Sequence, residues 1–88
     1  ADMRSGNANS AQYLLQVGSF RQQADADRRR GELALLGLEA TVEPGDGENG
    51  LWYRVYVGPF ESRSEMARAR SLTAQADMDT LLLKRESP

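Results

Sequence analysis

Two short stretches of the chain carry side chains suited to holding a ligand. In "YLLQVGSF", residues 13–20, Gln16 and Ser19 offer an amide and a hydroxyl. In "WYRVYVGPF", residues 52–60, Trp52 and Arg54 offer an aromatic plane and a planar cation. An indole supplies a large flat contact surface, and a guanidinium can bond a carboxylate through two parallel hydrogen bonds. These groups favour binding chemistry over catalysis.

The composition removes most catalytic chemistry. The 88 residues include no histidine and no cysteine, which excludes disulfides, thiol chemistry, His-based catalytic groups and most zinc sites. We therefore predict no cofactor, no metal and no enzymatic activity. The net charge of −2 gives no general attraction for nucleic acid or an anionic membrane. No run of about 18 apolar residues is present that would span a bilayer.

The apolar pattern predicts elements in the order β-α-β-β-α-β. Strands are expected at 13–17, 39–43, 51–57 and 80–84, and helices over 22–36 and 62–76. Gly37 is predicted as a left-handed cap that ends the first helix, with Leu38 folding back onto Leu33. Ser62 and Glu65 form a capping box that begins the second. The glycine-rich stretch "PGDGENG", 44–50, predicts an exposed hairpin loop.

The chain also repeats itself. Placing Val17 on Val57 aligns Gly18 with Gly58 and Phe20 with Phe60, so each half is one strand–helix–strand unit. Two such halves predict an α+β, ferredoxin-like (RNP-like) fold with a four-stranded antiparallel sheet, strand order 4-1-3-2, and two helices on one face. We assign residues 13–86 to one domain and the polar residues 1–12 to a flexible linker or cloning remnant.

Strand alternation predicts which side chains point away from the helices. Leu82 should face the helices, so that its neighbours on the last strand face outward. The outward set is more apolar than is typical of a solvated sheet face, which indicates a binding surface. The alternative is that another part of a longer chain, or a dimer partner, packs against this apolar sheet face. The predicted outward residues are Leu14, Gln16, Trp52, Arg54, Tyr56, Leu81 and Leu83.

The two phrases, each followed by a helix, resemble the SPOR (sporulation-related repeat) domain, and the resemblance covers about residues 13–85. It implies non-catalytic binding of bacterial peptidoglycan. The favoured ligand would be denuded GlcNAc–MurNAc strands, from which amidases have removed the stem peptides. It also implies a periplasmic protein that collects at the division septum during cell division, membrane-tethered or a lipoprotein. For this segment we expect a monomer that neither inserts into a membrane nor binds nucleic acid.

The resemblance also suggests which residues contact the glycan. The glutamine and serine of the family's Q-x-G-S phrase match Gln16 and Ser19, and its aromatic and arginine on the third strand match Trp52 and Arg54. An indole can stack on a pyranose face, and a guanidinium can pair with the lactyl carboxylate that peptide removal exposes. The aliphatic residue of the last strand matches Leu81, or Leu82 if the register slips by one. The predicted glycan-binding set is Leu14, Gln16, Ser19, Trp52, Arg54, Tyr56 and Leu81.

Each residue also has a structural alternative. Trp52 could cap the core, Arg54 could pair with Glu43 across the strands, and Ser19 could only complete a turn after Gly18.

Two other functions share this topology. An RNA-binding RRM-like module would stack bases on aromatic residues of the sheet, but the outward face has few aromatic residues and the net charge of the chain is negative. An acylphosphatase-like enzyme would use "QVGSFR" as a phosphate loop with Arg21 as the anion ligand, but the stretch has a single glycine. The triple arginine 28–30 is predicted to form Asp25–Arg29 and Asp27–Arg30 pairs on a solvated helix face.

Overall fold

The six predicted elements are all present, in the predicted order. The structure is a computed structural model, and it describes residues 11–86. The elements are β1 (Ala11–Phe20), α1 (Gln23–Leu35), β2 (Ala40–Gly47), β3 (Gly50–Val57), α2 (Arg63–Gln75) and β4 (Leu81–Glu86). The strands form one antiparallel sheet in the order β2-β3-β1-β4, which confirms the predicted 4-1-3-2 arrangement.

β1 begins earlier than the sequence pattern indicates. Its first residue is Ala11, two positions before Tyr13. Residues 11 and 12 therefore pair with β4, as Ala11 with Glu86 and Gln12 with Arg85. The linker is predicted over residues 1–12, and its first ten residues lie outside the described part of the chain.

Both helices pack on one face of the sheet. Leu15 and Val57 lie on that face, and they share one buried cluster with Leu33 of α1 and Ala69 of α2. This cluster forms because alternate strand residues and the apolar stripes of the two helices meet. The predicted fold class, with two helices on one face, is confirmed. The cluster consists of Leu15, Val17, Ala26, Leu33, Leu38, Val55, Val57 and Ala69.

The helix boundaries are formed by the predicted caps. Gly37 has φ +85°, and the Leu38 amide donates to the Leu33 carbonyl at 3.0 Å. At the start of α2, the Ser62 hydroxyl accepts from the Glu65 amide at 3.1 Å. The Glu65 carboxylate in turn accepts from the amide of Glu61, the residue before the cap, so the two side chains hold the chain at the start of the helix.

The predicted seven-residue hairpin loop is wrong. β2 continues to Gly47 and β3 starts at Gly50, which leaves a two-residue turn at Glu48 and Asn49. Asn49 and Gly50 have φ of 66° and 110°, values that asparagine and glycine adopt at low cost. Pro44 pairs with Tyr53 within the strand, which is tolerated because β2 is an edge strand. Residues 44–47 of this stretch therefore lengthen β2, and residues 48 and 49 form the turn.

A β-bulge interrupts β1 near its end. Gln16 pairs with Tyr56, whereas Ser19 pairs with Arg54, so Val17 and Gly18 together oppose Val55. Gly18 has φ +126°, and a Cβ there would lie 2.7 Å from the Phe20 ring, which explains the need for glycine. "QVGSFR" is consequently a bulged strand through Phe20 rather than the loop that an acylphosphatase-like reading requires.

The arginines of α1 are arranged differently from the prediction. Arg30 pairs with Asp27 as expected, at 3.9 Å, but the predicted Asp25–Arg29 pair is wrong: Asp25 pairs with Arg28. Arg29 instead pairs with Glu32 and donates from Nη1 to the Val17 carbonyl at 3.1 Å. The middle arginine thus binds the bulged segment of β1.

Candidate functional site

The sheet face opposite the helices carries the predicted outward side chains. Register pairs Leu81 with Gln16 and Leu83 with Leu14, so these residues share the open face with Trp52, Arg54 and Tyr56. Leu82 pairs with Leu15 on the helix side, so the register favours Leu81 over Leu82 as the residue facing outward on β4. The predicted placement of the set on one face is correct.

Two members of the set form the floor of this face. Leu14 is 4% exposed and Tyr56 8% exposed, although neither faces a helix. Leu14 pairs with Leu83 and closely approaches Gly58, where a Cβ would lie 3.1 Å from its Cδ2. These two side chains therefore offer little surface to a ligand, whereas Leu81 is 57% exposed.

Trp52 lies on the open face above the end of the β2–β3 hairpin. Its indole Nε1 donates to the Glu48 carbonyl at 2.8 Å. A Cβ at Gly47 would lie 2.9 Å from Trp52 Cδ1, so the glycine leaves the space that the ring occupies. The ring is half-buried and is absent from the core cluster, so Trp52 does not cap the core.

The Arg54 side chain extends over Gly47 and over Gly45 of the same strand. A Cβ at Gly47 would lie 2.8 Å from its Nη2, and one at Gly45 would lie 3.0 Å from its Nη1. Glu43, its cross-strand neighbour, pairs with Arg85 at 3.5 Å. Within residues 11–86 no ion pair involves Arg54, so the alternative Arg54–Glu43 bridge is not formed.

The bulge places Ser19 beside Gln16 on the open face. Strict alternation would put Ser19 with Val17 on the helix side, but the extra residue in β1 reverses this and sets Ser19 opposite Arg54. Gln16 lies between Tyr56 on β3 and Leu81 on β4. Ser19 is exposed and belongs to β1, so it is a strand residue and not part of a turn after Gly18.

Arg21 is part of the same face, and sequence reasoning missed it there. It follows Phe20, which pairs with Tyr53, so it lies next to Trp52. Its guanidinium carbon is 4.6 Å from the centroid of the indole, a cation–π contact. The sequence signal that could have placed Arg21 on this face was Gly18. A glycine within a strand is typical of a bulge, and a bulge reverses the alternation of side chains after it. We call Ser19, Arg21, Trp52 and Arg54 the tryptophan end.

An ion pair closes the adjoining part of the open face, where Glu43 neighbours Arg54 and Tyr56 neighbours Gln16 in the register. The Arg85 guanidinium carbon lies 5.6 Å from the centroid of the Tyr56 ring, and its Nη2 is 3.5 Å from Glu43 Oε1. This contact joins the two edge strands and places the Arg85 guanidinium over the Tyr56 ring. We call Glu43, Tyr56 and Arg85 the ion-pair end.

The tryptophan end has the chemistry to bind a ligand that is partly flat and apolar and partly hydrogen-bonding. It offers an aromatic ring, two guanidinium groups and a hydroxyl, with the Gln16 amide adjacent. In the described part of the chain no group of three or more acidic side chains is placed to hold a metal ion. No helix between residues 11 and 86 is long and apolar enough to cross a membrane.

Comparison with known proteins assigns the family. The model of the SPOR domain matches residues 9–82, which is most of the chain. The chain belongs to the SPOR family. The crystal structure of the SPOR domain of RlpA from Pseudomonas aeruginosa superposes with a TM-score of 0.74 at 22% identity, covering 81% of this chain and 96% of that one. The resemblance inferred from the two repeated phrases is confirmed.

Two further relatives of this SPOR chain were found. The solution structure of the peptidoglycan binding domain of the B. subtilis cell wall lytic enzyme CwlC superposes with a TM-score of 0.70 at 24% identity, covering 97% of this chain and 98% of that one. An uncharacterized protein of Haemophilus influenzae is 35% identical over 63 residues, 72% of this chain. The match spans only 29% of that relative's length.

Proposed function

We propose that this SPOR domain binds the glycan strands of peptidoglycan without catalysis and prefers strands that lack stem peptides. Through this binding it brings its parent protein, tethered to a membrane or a lipoprotein, to the division septum in the periplasm. The observation that carries the proposal is the tryptophan end, where an aromatic ring, cations and hydrogen-bonding groups meet on a sheet face that the helices leave open.

The chemistry of a glycan strand matches these groups. Sugar rings have apolar faces that stack on an indole, and their hydroxyl and acetamido groups exchange hydrogen bonds with Gln16 and Ser19. Leu81 adds exposed apolar surface beside Gln16. Leu14 and Tyr56 support this surface from beneath. Membership of the SPOR family and the peptidoglycan binding domain of CwlC as a structural neighbour favour the same ligand.

The preference for stripped strands follows from Arg54. Removal of the peptide converts an amide on N-acetylmuramic acid into a free lactyl carboxylate. A guanidinium bonds that group through two parallel, charge-assisted hydrogen bonds. Because Arg54 has no ion-pair partner among residues 11–86, it is available for such a contact. An intact peptide would remove this charge and add bulk above the face.

A pull-down with purified sacculi tests the proposal. The domain should be retained by sacculi treated with an amidase and retained less by untreated sacculi. The Trp52→Ala variant should be lost from both, while the Leu35→Ala variant should behave as the wild type because Leu35 is 89% exposed on α1. Equal retention of wild-type domain before and after amidase treatment would contradict the preference for stripped strands. No retention of the wild type would contradict glycan binding itself.

A further inference from the structure

Arg21 occupies one face of the tryptophan ring that a sugar would use. Its guanidinium lies 4.6 Å from the ring centroid. The side chain is exposed, and it forms no ion pair within the described range 11–86. A sugar stacking on that face of Trp52 must therefore displace a cation that forms no ion pair with residues 11–86.

A second cation, Arg54, also lies near the indole. Arg21 approaches it from the end of β1, while Arg54 lies over β2. A single point, the position of a Cβ at Gly47, is 2.8 Å from Arg54 Nη2 and 2.9 Å from Trp52 Cδ1. A sugar on the indole is thus close to both guanidinium groups. An anionic sugar gains from this arrangement, whereas a neutral sugar must compete with Arg21 for the ring.

We infer that Arg21 determines specificity at this face: it covers the Trp52 ring in the free protein and moves to the carboxylate of an anionic sugar when that sugar binds. The inference rests on the proposed function. When an anionic sugar binds, the sugar face replaces the cation on the ring, and the displaced guanidinium gains a charge-assisted hydrogen bond to the carboxylate. A neutral sugar offers no such partner and has to uncover the ring without compensation.

The two roles of Arg21 predict opposite effects on two ligands. Arg21→Ala removes a bonding partner of the carboxylate, so affinity for a peptide-free GlcNAc–MurNAc tetrasaccharide should fall about five- to tenfold. The same substitution uncovers the ring, so affinity for the neutral GlcNAc tetrasaccharide should stay the same or rise. The ratio of the two affinities is therefore the diagnostic quantity.

Fluorescence titration measures both affinities directly, because Trp52 is the one tryptophan of the 88-residue chain. The matched control is Arg68→Ala, which removes the same charge from an exposed position on α2. We expect the control to bind both tetrasaccharides as the wild type does. Arg21→Ala should discriminate less between them than the wild type, with Arg54 retaining part of the selectivity for the anionic one. Equal weakening of both ligands by Arg21→Ala, or no change in either, would overturn the inference.

The wild-type titration distinguishes a failure of glycan binding from a failure of the role inferred for Arg21. A wild-type domain that binds neither tetrasaccharide contradicts glycan binding and the role of Arg21 with it. A wild-type domain that binds the anionic tetrasaccharide while Arg21→Ala keeps its selectivity contradicts the role of Arg21 alone.

Discussion

The two ends of the open face use arginine in different ways. At the ion-pair end, Arg85 lies over Tyr56 and pairs with Glu43, so its charge is balanced within the protein. At the tryptophan end, Arg21 and Arg54 lie around Trp52 with no acidic partner among residues 11–86. The same residue type closes one part of the sheet and leaves charge available at the other. Ligand contacts should concentrate where the charge is unbalanced.

Removing the aromatic surface at the tryptophan end should have the largest effect. Trp52→Ala is expected to weaken binding of denuded glycan by about 1–3 kcal/mol, roughly ten- to a hundredfold, by analogy with other aromatic stacking sites. The fold should persist because Trp52 lies outside the core cluster. Isothermal titration together with thermal melts checks this result. An unfolded variant would mean that the ring stabilises the domain rather than the complex.

The next largest effect should come from Arg54, and three variants separate its shape from its charge. Lys keeps the charge but loses the planar fork, so we expect Arg54→Lys to bind noticeably worse than wild type, and Arg54→Gln and Arg54→Ala worse still. Melting temperatures should stay close to that of the wild type, because Glu43 pairs with Arg85. Titrations at two salt concentrations check the origin of the effect. A lysine variant that matches the wild type at both would indicate a general positive potential instead of a clamp.

A smaller effect on glycan affinity is expected from filling the space beneath the side chains of Trp52 and Arg54. Gly47→Ala places a Cβ 2.8 Å from Arg54 Nη2 and 2.9 Å from Trp52 Cδ1, so both groups must shift. The backbone at Gly47 does not have positive φ, so alanine causes no backbone strain there. Affinity should fall by a few-fold, on the order of 1 kcal/mol.

The matched control for this change is Gly31→Ala. Gly31 lies in α1, and a Cβ there meets nothing within 4 Å. Alanine should raise helix stability by roughly 0.5–1 kcal/mol and leave glycan affinity unchanged. If Gly47→Ala binds as well as Gly31→Ala, the placement of Trp52 and Arg54 over β2 is not important for binding.

The smallest effect is expected at the ion-pair end. Arg85→Ala breaks an ion pair whose side chains are about half exposed, and such pairs contribute about 0–1 kcal/mol to stability. Glycan affinity should change by less than about twofold, which a titration beside Arg54→Ala can measure. A loss as large as that of Arg54→Ala would erase the difference between the two ends.

Much of the fold was predictable from local patterns. The alternation of Leu15 and Val17 with Leu14 and Gln16 predicts the two faces of β1, because strand side chains have a period of two. The caps at Gly37 and Ser62 were predictable because each satisfies backbone groups within a few residues. These features depend on near neighbours in sequence, which the chain itself displays.

The features that were missed depend on contacts between distant residues. Gly45 and Gly47 indicate a loop by composition, yet they lie in β2 and make room for Arg54 and Trp52 from the adjacent strand. The bulge at Gly18, which turns Ser19 and Arg21 toward the open face, is bound by Arg29 from α1. The contact over the Tyr56 ring comes from Arg85 on another strand. Gly47 is near Trp52 in sequence, but the two meet only because β2 pairs with β3, whereas Arg29 and Arg85 are distant in sequence from the residues that they contact.

An NMR titration tests the central claim most directly. Denuded GlcNAc–MurNAc tetrasaccharide should shift the backbone amides of Gln16, Ser19 and Arg54 and the indole N–H of Trp52, with small changes around Tyr56 and Arg85. The helix-side groove lined by Tyr13, Phe60, Met66 and Leu82 provides an internal comparison, and its amides should not respond. Shifts concentrated in that groove, or spread evenly over the open face, would contradict the account.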